Sequence, residues 1–292
     1  VRRNLRGKFQ IEKKLQSFFS VAMGTAVGKI LAVTNQKGGV GKTTTCVNLA
    51  ASLAATRKKV LLIDIDPQGN ATMGSGIDKN SIAASVYDVL VHRMPVAEVA
   101  QPAPNAGYDI LPANGDLTAA EVELLNGAEK EFRLRDALAI ERVAYDYIII
   151  DCPPSLNMLT VNALATADGV LIPMQCEYYA LEGLSALLDT IQRVQQVLNP
   201  NLQIEGLLRT MYDPRNSLTN DVSAQLSAHF GERVYRTVIP RNVRLAEAPS
   251  FGMPVLAYDK QSKGALAYLA LAGEMLRRND PVNAPINTIP AA

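Results

Sequence analysis

Apolar residues in this chain gather in short unbroken blocks, among them Ile30–Val33, Val60–Ile63, Ile148–Ile150 and Val170–Ile172. Blocks of that length, with no polar alternation, predict strands buried on both faces, as in a parallel sheet under helices. Between the blocks the spacing lengthens to three and four residues, as through Val47, Leu49, Ala50 and Leu53, which predicts helices. The expected elements are strands over 30–33, 59–64, 108–112, 147–151, 169–173, 203–209 and 234–239. Helices are expected from 43, over 87–90, 119–140, 157–166, 181–198, 218–229 and 264–278. This alternation implies right-handed βαβ units and a single domain over 29–278. Residues 1–28 read as an N-terminal extension, with Met23 the expected start, and residues 279–292, with three prolines, as a disordered tail.

The link between the first strand and the first helix is Thr34-Asn-Gln-Lys-Gly-Gly-Val-Gly-Lys-Thr-Thr44. Strand, glycine loop and helix in that order form a P-loop. Glycines permit positive φ and close approach, so N–H groups from Gly39 through Lys42 can wrap a phosphate. Gly38, Gly39, Val40, Gly41, Lys42, Thr43 and Thr44 are the expected nucleotide-binding residues. Lys42 supplies charge to the β/γ oxygens, the Thr43 hydroxyl is placed for Mg²⁺, and the helix N-terminus favours the anion. The expected fold is α/β and P-loop NTPase-like, a mostly parallel twisted sheet with helices on both faces.

Such a site needs carboxylates at strand ends. Asp151 follows a buried apolar strand, the Walker B arrangement, and is expected in the magnesium shell. Asp64 and Asp66 are two apart, so both would face the phosphates if the strand continued. The standard loop pattern would have Gly at position 36, where Gln36 stands, and a second lysine, Lys37, sits at the loop's opening. On its own, Lys37 reads as a solvated loop lysine.

Composition changes this picture little. No apolar run is long enough to span a membrane. Cys46, Cys152 and Cys176 lack metal spacing and read as small buried apolar residues; His92 and His229 form no motif. Net charge is +1 over 292 residues. Residues 1–23 hold six Lys/Arg against Glu12, a balance of +5, which leaves 23 basic and 27 acidic residues elsewhere, a balance of −4. Binding of nucleic acid by the body must therefore come from a local patch.

The segment Lys37-Gly-Gly-Val-Gly-Lys-Thr-Thr44 resembles the deviant Walker A of the ParA/MinD class of P-loop ATPases. VLLIDIDPQGNAT, YDYIIIDCPPS, PMQCEYYALEGL and TVIPRNVRLAEAPSFGMPV are similar to chromosomal ParA, also called Soj, and the resemblance covers Lys29 to Arg278. It implies an ATP-driven, Mg²⁺-dependent partition protein with weak intrinsic turnover, cytoplasmic and nucleoid-associated. ATP is then expected to close a homodimer that binds double-stranded DNA without sequence preference, and a ParB-type partner to stimulate hydrolysis. By the same resemblance Lys37 reaches the partner subunit's nucleotide and Asp66 positions the attacking water, with Asp64 supporting the magnesium shell. Pro240 and Asn242 lie against the purine, and Arg215 and Arg244 touch DNA phosphates, with Arg241 a third candidate. The alternative is a membrane-associated, MinD-like ATPase that positions a division site. That class carries a C-terminal amphipathic basic helix, and Asn283–Pro290 has no basic residue and two prolines.

Overall fold

The computed structural model describes residues 27–280 except 126, 128 and 179. The expected start at Met23, nearly all of the extension 1–28 and the tail beyond 280 lie outside the described residues.

Eight strands form one sheet: β1 (Lys29–Val33), β2 (Val60–Asp64), β3 (Gln101–Pro102), β4 (Asp109–Leu111), β5 (Tyr147–Asp151), β6 (Gly169–Gln175), β7 (Gln203–Tyr212) and β8 (Val234–Pro240). Their order is β3-β4-β2-β5-β1-β6-β7-β8, and every pairing is parallel except the short edge pair β3–β4. The six longer helices are α1 (Lys42–Ala55), α2 (Leu117–Leu125), α3 (Met158–Thr166), α4 (Ala180–Val197), α5 (Ser217–Phe230) and α6 (Lys263–Arg278).

Unbroken apolar strands place alternate residues in two separate cores. Leu31, Val33, Leu62 and Ile149 face α1 and α6, where Leu49, Leu53, Tyr268 and Leu271 meet them. Ile30, Ala32, Leu61, Ile63, Ile148 and Ile150 face the opposite layer, built from Leu117, Leu159, Leu184 and Ile191 among others. Both faces are thereby shut off from water, so chemistry is left to the strand ends.

Parallel register decides which ends meet. Val33 pairs with Asp151, and Asp64 also pairs with Asp151. Two carboxylates remote in sequence therefore stand side by side beneath the loop that follows β1.

The helix expected over 119–140 is several pieces. α2 ends at Leu125, and short turns at Lys130–Phe132, Arg133–Ala137 and Glu141–Val143 follow. Glu129 takes φ 54, a conformation that ends a right-handed helix. The restart is fixed from outside, because Leu134 N–H donates to Asn162 Oδ1 on α3 at 3.2 Å. Strand β7 runs to Tyr212, beyond the expected 209. It bends at Met211, whose φ is 49, where the pairing with β8 shifts register.

Candidate functional site

The loop between β1 and α1 encloses a cavity of about 550 Å³ lined by Gly38, Gly39, Gly41, Lys42, Thr43, Thr44, Asp66, Pro67, Gln68, Asn70, Glu121, Pro153, Ser155, Asn157 and Met211, among others. Gly39 and Gly41 have φ 73 and 86, the left-handed region where only glycine is unstrained. A Cβ at Gly39 would meet nothing within 4 Å, so its side is open to a ligand. Two tethers hold the loop. Asn35 accepts from Lys37 N–H at 3.0 Å and donates to Pro173 O on β6 at 2.9 Å. Thr210 on β7 donates its hydroxyl to Val40 O at 2.8 Å.

Lys42 is 7% exposed, and its Nζ donates to Lys37 O at 3.3 Å. Burial pulls its pKa below the usual lysine value, opposed chiefly by Asp151 and more weakly by Asp66. A desolvated ammonium on the wall of an open cavity is built for an anion.

Asp151 is completely buried. Its Oδ1 accepts from Cys46 Sγ at 3.4 Å, the nearby Thr43 hydroxyl pulls its pKa down, and Oδ2 is buried with no protein partner. Burial raises the Asp151 pKa, and the adjacent Asp64 pushes the same way. An orphaned carboxylate oxygen beside the Thr43 hydroxyl fits the donor set for a hydrated Mg²⁺, whose charge would reverse that shift.

Asp64 and Asp66 do not both face the phosphates. β2 ends at Asp64, so the alternation expected of a continued strand is lost. Asp64 turns to its own loop: Oδ2 accepts from Thr72 N–H and Thr72 Oγ1, both at 2.8 Å, and Oδ1 accepts from Asp66 N–H at 3.1 Å. Burial raises its pKa despite these bonds. Asp66 is on the cavity wall, where its Oδ1 accepts from Gln68 N–H at 2.9 Å.

Lys37 points away from the phosphate loop. Its Nζ pairs with Glu177 Oε2 at 2.6 Å, with the two side chains 41% and 45% exposed.

A second cavity of about 180 Å³ adjoins the first, lined by Thr44, Thr210, Met211, Pro240, Arg241, Asn242, Leu245 and Tyr268, among others. Met211 lies on both cavities. Pro240 ends β8, and Asn242 precedes the short helix Val243–Glu247. Asn242 lines this mostly apolar slot, and its Oδ1 is buried beside Gly264 of α6 without a hydrogen-bond partner. A flat heterocycle suits a slot of that size and lining.

Arg215 and Arg244 follow β7 and β8. Arg215 is 89% exposed and forks onto Asp213, with Nε to Oδ1 at 2.9 Å and Nη2 to Oδ2 at 2.7 Å. That pairing is the main reason Asp213 falls to about 2, with Arg241 adding a smaller pull. Arg244 reaches Glu247 at 2.7 Å and Asp259 at 3.3 Å. Arg215, Arg241 and Arg244 thus follow the ends of adjacent strands β7 and β8, interleaved with Asp213, Glu247 and Asp259.

The sequence did not single out Thr210, Met211, Glu121, Asn157 or Thr72. Asn70 and Thr72 lie inside the quoted DPQGNAT segment, which was the available signal for both. Cys46, Cys152 and Cys176 are all buried and free, as their spacing led us to expect.

Strand order and phosphate loop together define a P-loop NTPase. The family described as "AAA domain" matches residues 28–204. The chain is 53% identical to chromosome partitioning protein ParA of Myxococcus xanthus, over 87% of this chain and 90% of that protein. It is 55% identical to sporulation initiation inhibitor protein Soj of Bacillus subtilis, over 85% and 98%. Among solved structures it resembles cobyrinic acid a,c-diamide synthase of Mycobacterium smegmatis with bound ADP and magnesium, at 39% identity, TM-score 0.76 and coverage of 86% and 95%. The chain belongs to the ParA/Soj family of chromosome-partitioning ATPases.

Proposed function

We propose that this protein is an ATP-driven partition ATPase whose nucleotide-bound homodimer holds DNA without sequence preference and is reset by hydrolysis under a ParB-type partner. The observation that carries the reading is Lys37. Its ammonium stands at the rim, paired with an exposed Glu177, and not inside its own phosphate site. A cation so placed is available to a nucleotide approaching from a second copy of the chain.

Each residue then has a part. The N–H groups of the glycine loop and the Lys42 ammonium bind the phosphates, and the apolar slot around Pro240 and Asn242 takes the purine. Thr43 and Asp151 would hold Mg²⁺, which supplies charge neutralisation to the phosphate oxygens. Asp66 orients water at the cavity wall, since an ionised carboxylate is a weak base but a good acceptor. Lys37 of one subunit stabilises charge on the other's phosphates as the phosphoryl group departs, in the manner of an arginine finger. Intrinsic turnover is weak because this constellation is complete only in the dimer. One single-domain ATPase over 29–278 accommodates all of these parts.

The basic patch of Arg215, Arg241 and Arg244 is duplicated by dimerisation, so nucleotide binding doubles the phosphate contacts available along one face. The membrane-associated alternative turns on residues 283–290, which lie outside the described residues. Among the described residues no helix is long and apolar enough to cross a membrane.

DNA binding measured with ATP, ADP and no nucleotide tests the proposal. ATP alone should give tight, sequence-independent, steeply salt-sensitive binding, and Asp66→Ala should prolong it. Arg215→Glu or Arg244→Glu should abolish it while ATP-driven dimerisation persists. Equal DNA affinity in all three nucleotide conditions would refute the switch.

A further inference from the structure

We propose that Thr72 is a positioning residue for hydrolysis, acting through Asp64 on the loop that carries Asp66. The inference rests on the reading of Asp66 as the carboxylate that orients water.

Thr72 and Asp64 are both completely buried. The Thr72 hydroxyl donates to Asp64 Oδ2 at 2.8 Å and accepts from Ala113 N–H at 2.9 Å. Both capacities of the hydroxyl are thus in use, one toward the end of β2 and one toward the segment after β4. Asp64 spends its other oxygen on Asp66 N–H. The chain between Asp64 and Thr72 is therefore pinned at both ends by one carboxylate.

Within that span the geometry is tight. Gly69 N–H donates to Asp66 O at 2.8 Å. Gly69 has φ 61, and a Cβ there would lie 2.9 Å from Ala113 O. Ala113 is accordingly the wall for the loop, with its N–H on Thr72 and its carbonyl against Gly69. Fixing Ala113 relative to Asp64 fixes the path of residues 66–70, and with it the direction in which Asp66 meets the cavity. None of these hydrogen bonds reaches Gly39, Lys42 or Thr43. Loss of the hydroxyl should therefore separate hydrolysis from nucleotide binding.

Valine matches threonine in shape but can neither donate nor accept, so Thr72→Val leaves the Ala113 N–H unpaired in a dry site. Serine keeps both bonds. Steady-state phosphate release and ATP affinity of the full chain are to be compared for the parent, Thr72→Val, Thr72→Ser and Asp66→Ala, with melting curves for each. Thr72→Val should lose about tenfold or more in kcat, with ATP affinity and KM within roughly threefold of the parent. Thr72→Ser should return kcat to near the parent value, a rescue that a general packing role would not produce.

Parental kcat in Thr72→Val with Asp66→Ala inactive overturns the clamp and leaves the role of Asp66 standing. Parental turnover in Asp66→Ala overturns both. Should Thr72→Val fail to fold, Thr72→Ala takes its place under the same criteria. If neither folds, or if ATP affinity falls as far as kcat, Thr72 serves the fold alone and the inference is overturned.

Discussion

Replacing Glu177 by glutamine should tighten the ATP-driven dimer. Glu177 holds Lys37 within its own subunit at 2.6 Å, and the proposed dimer needs that ammonium turned toward the partner. Each subunit must break its pair before closing. The side chains are 41% and 45% exposed, so solvent screens the attraction, and an exposed pair of this kind is worth about 0.2–1 kcal/mol. Two pairs are broken per dimer, so the substitution removes about 0.4–2 kcal/mol of opposition, roughly a 2- to 30-fold fall in the dimer dissociation constant. The fold should tolerate the change, because the backbone bonds of Glu177, to Gln175 O and from Ala180 N–H, do not use the carboxylate. Sedimentation velocity with a non-hydrolysable ATP analogue reads the constant without turnover. The gap between parent and Glu177→Gln should shrink as salt rises, since the screening length drops to about 3 Å at 1 M. Lys37→Ala supplies the control and should not dimerise. An unchanged or weaker dimer in Glu177→Gln would show that the pair does not restrain Lys37.

Two further outcomes are expected. In the proposed purine contact the Asn242 carbonyl oxygen would turn to the exocyclic amine of adenine and repel the carbonyl that guanine has there, so ATP should bind more tightly than GTP. Asn242→Leu should cost ATP about 1–3 kcal/mol and erase most of that preference in competition binding; equal affinities in the parent would refute the assignment. Burial raises the pKa of both Asp64 and Asp151, so between the ordinary carboxylate range and those raised values the folded protein binds more protons than the unfolded chain. By linkage the nucleotide-free protein should lose stability as pH rises through that window. Its melting temperature should fall from mildly acidic to mildly alkaline pH, and Mg²⁺ with nucleotide should flatten the slope; a rise over the same range would reverse the sign and refute the cause.

The phosphate loop was legible because its chemistry is local: Gly39, Gly41, Lys42 and Thr43 are neighbours in the chain, and the strand and helix around them are written in the apolar spacing. The buried strands β1, β2, β5 and β6 were legible for a related reason, since a strand covered on both faces must be apolar throughout. Asp151 could be picked out as the polar residue that ends such a strand. The break after Leu125 was not legible, because Ala- and Leu-rich spacing favours helix, while the restart at Leu134 depends on Asn162 from another element. The turn of Asp64 toward Thr72 was hidden likewise, since a two-residue spacing says which face a side chain takes only while the strand lasts. Lys37 and Glu177 are 140 residues apart, and no pattern in either segment announces the other. Local sequence thus made the glycine loop with Lys42 and Thr43 readable as a phosphate cradle, because propensity and side-chain chemistry act over a few residues. Tertiary structure decided which carboxylate faces the cavity, which braces the loop and which holds Lys37, because those partners meet only once parallel register and packing bring distant segments together.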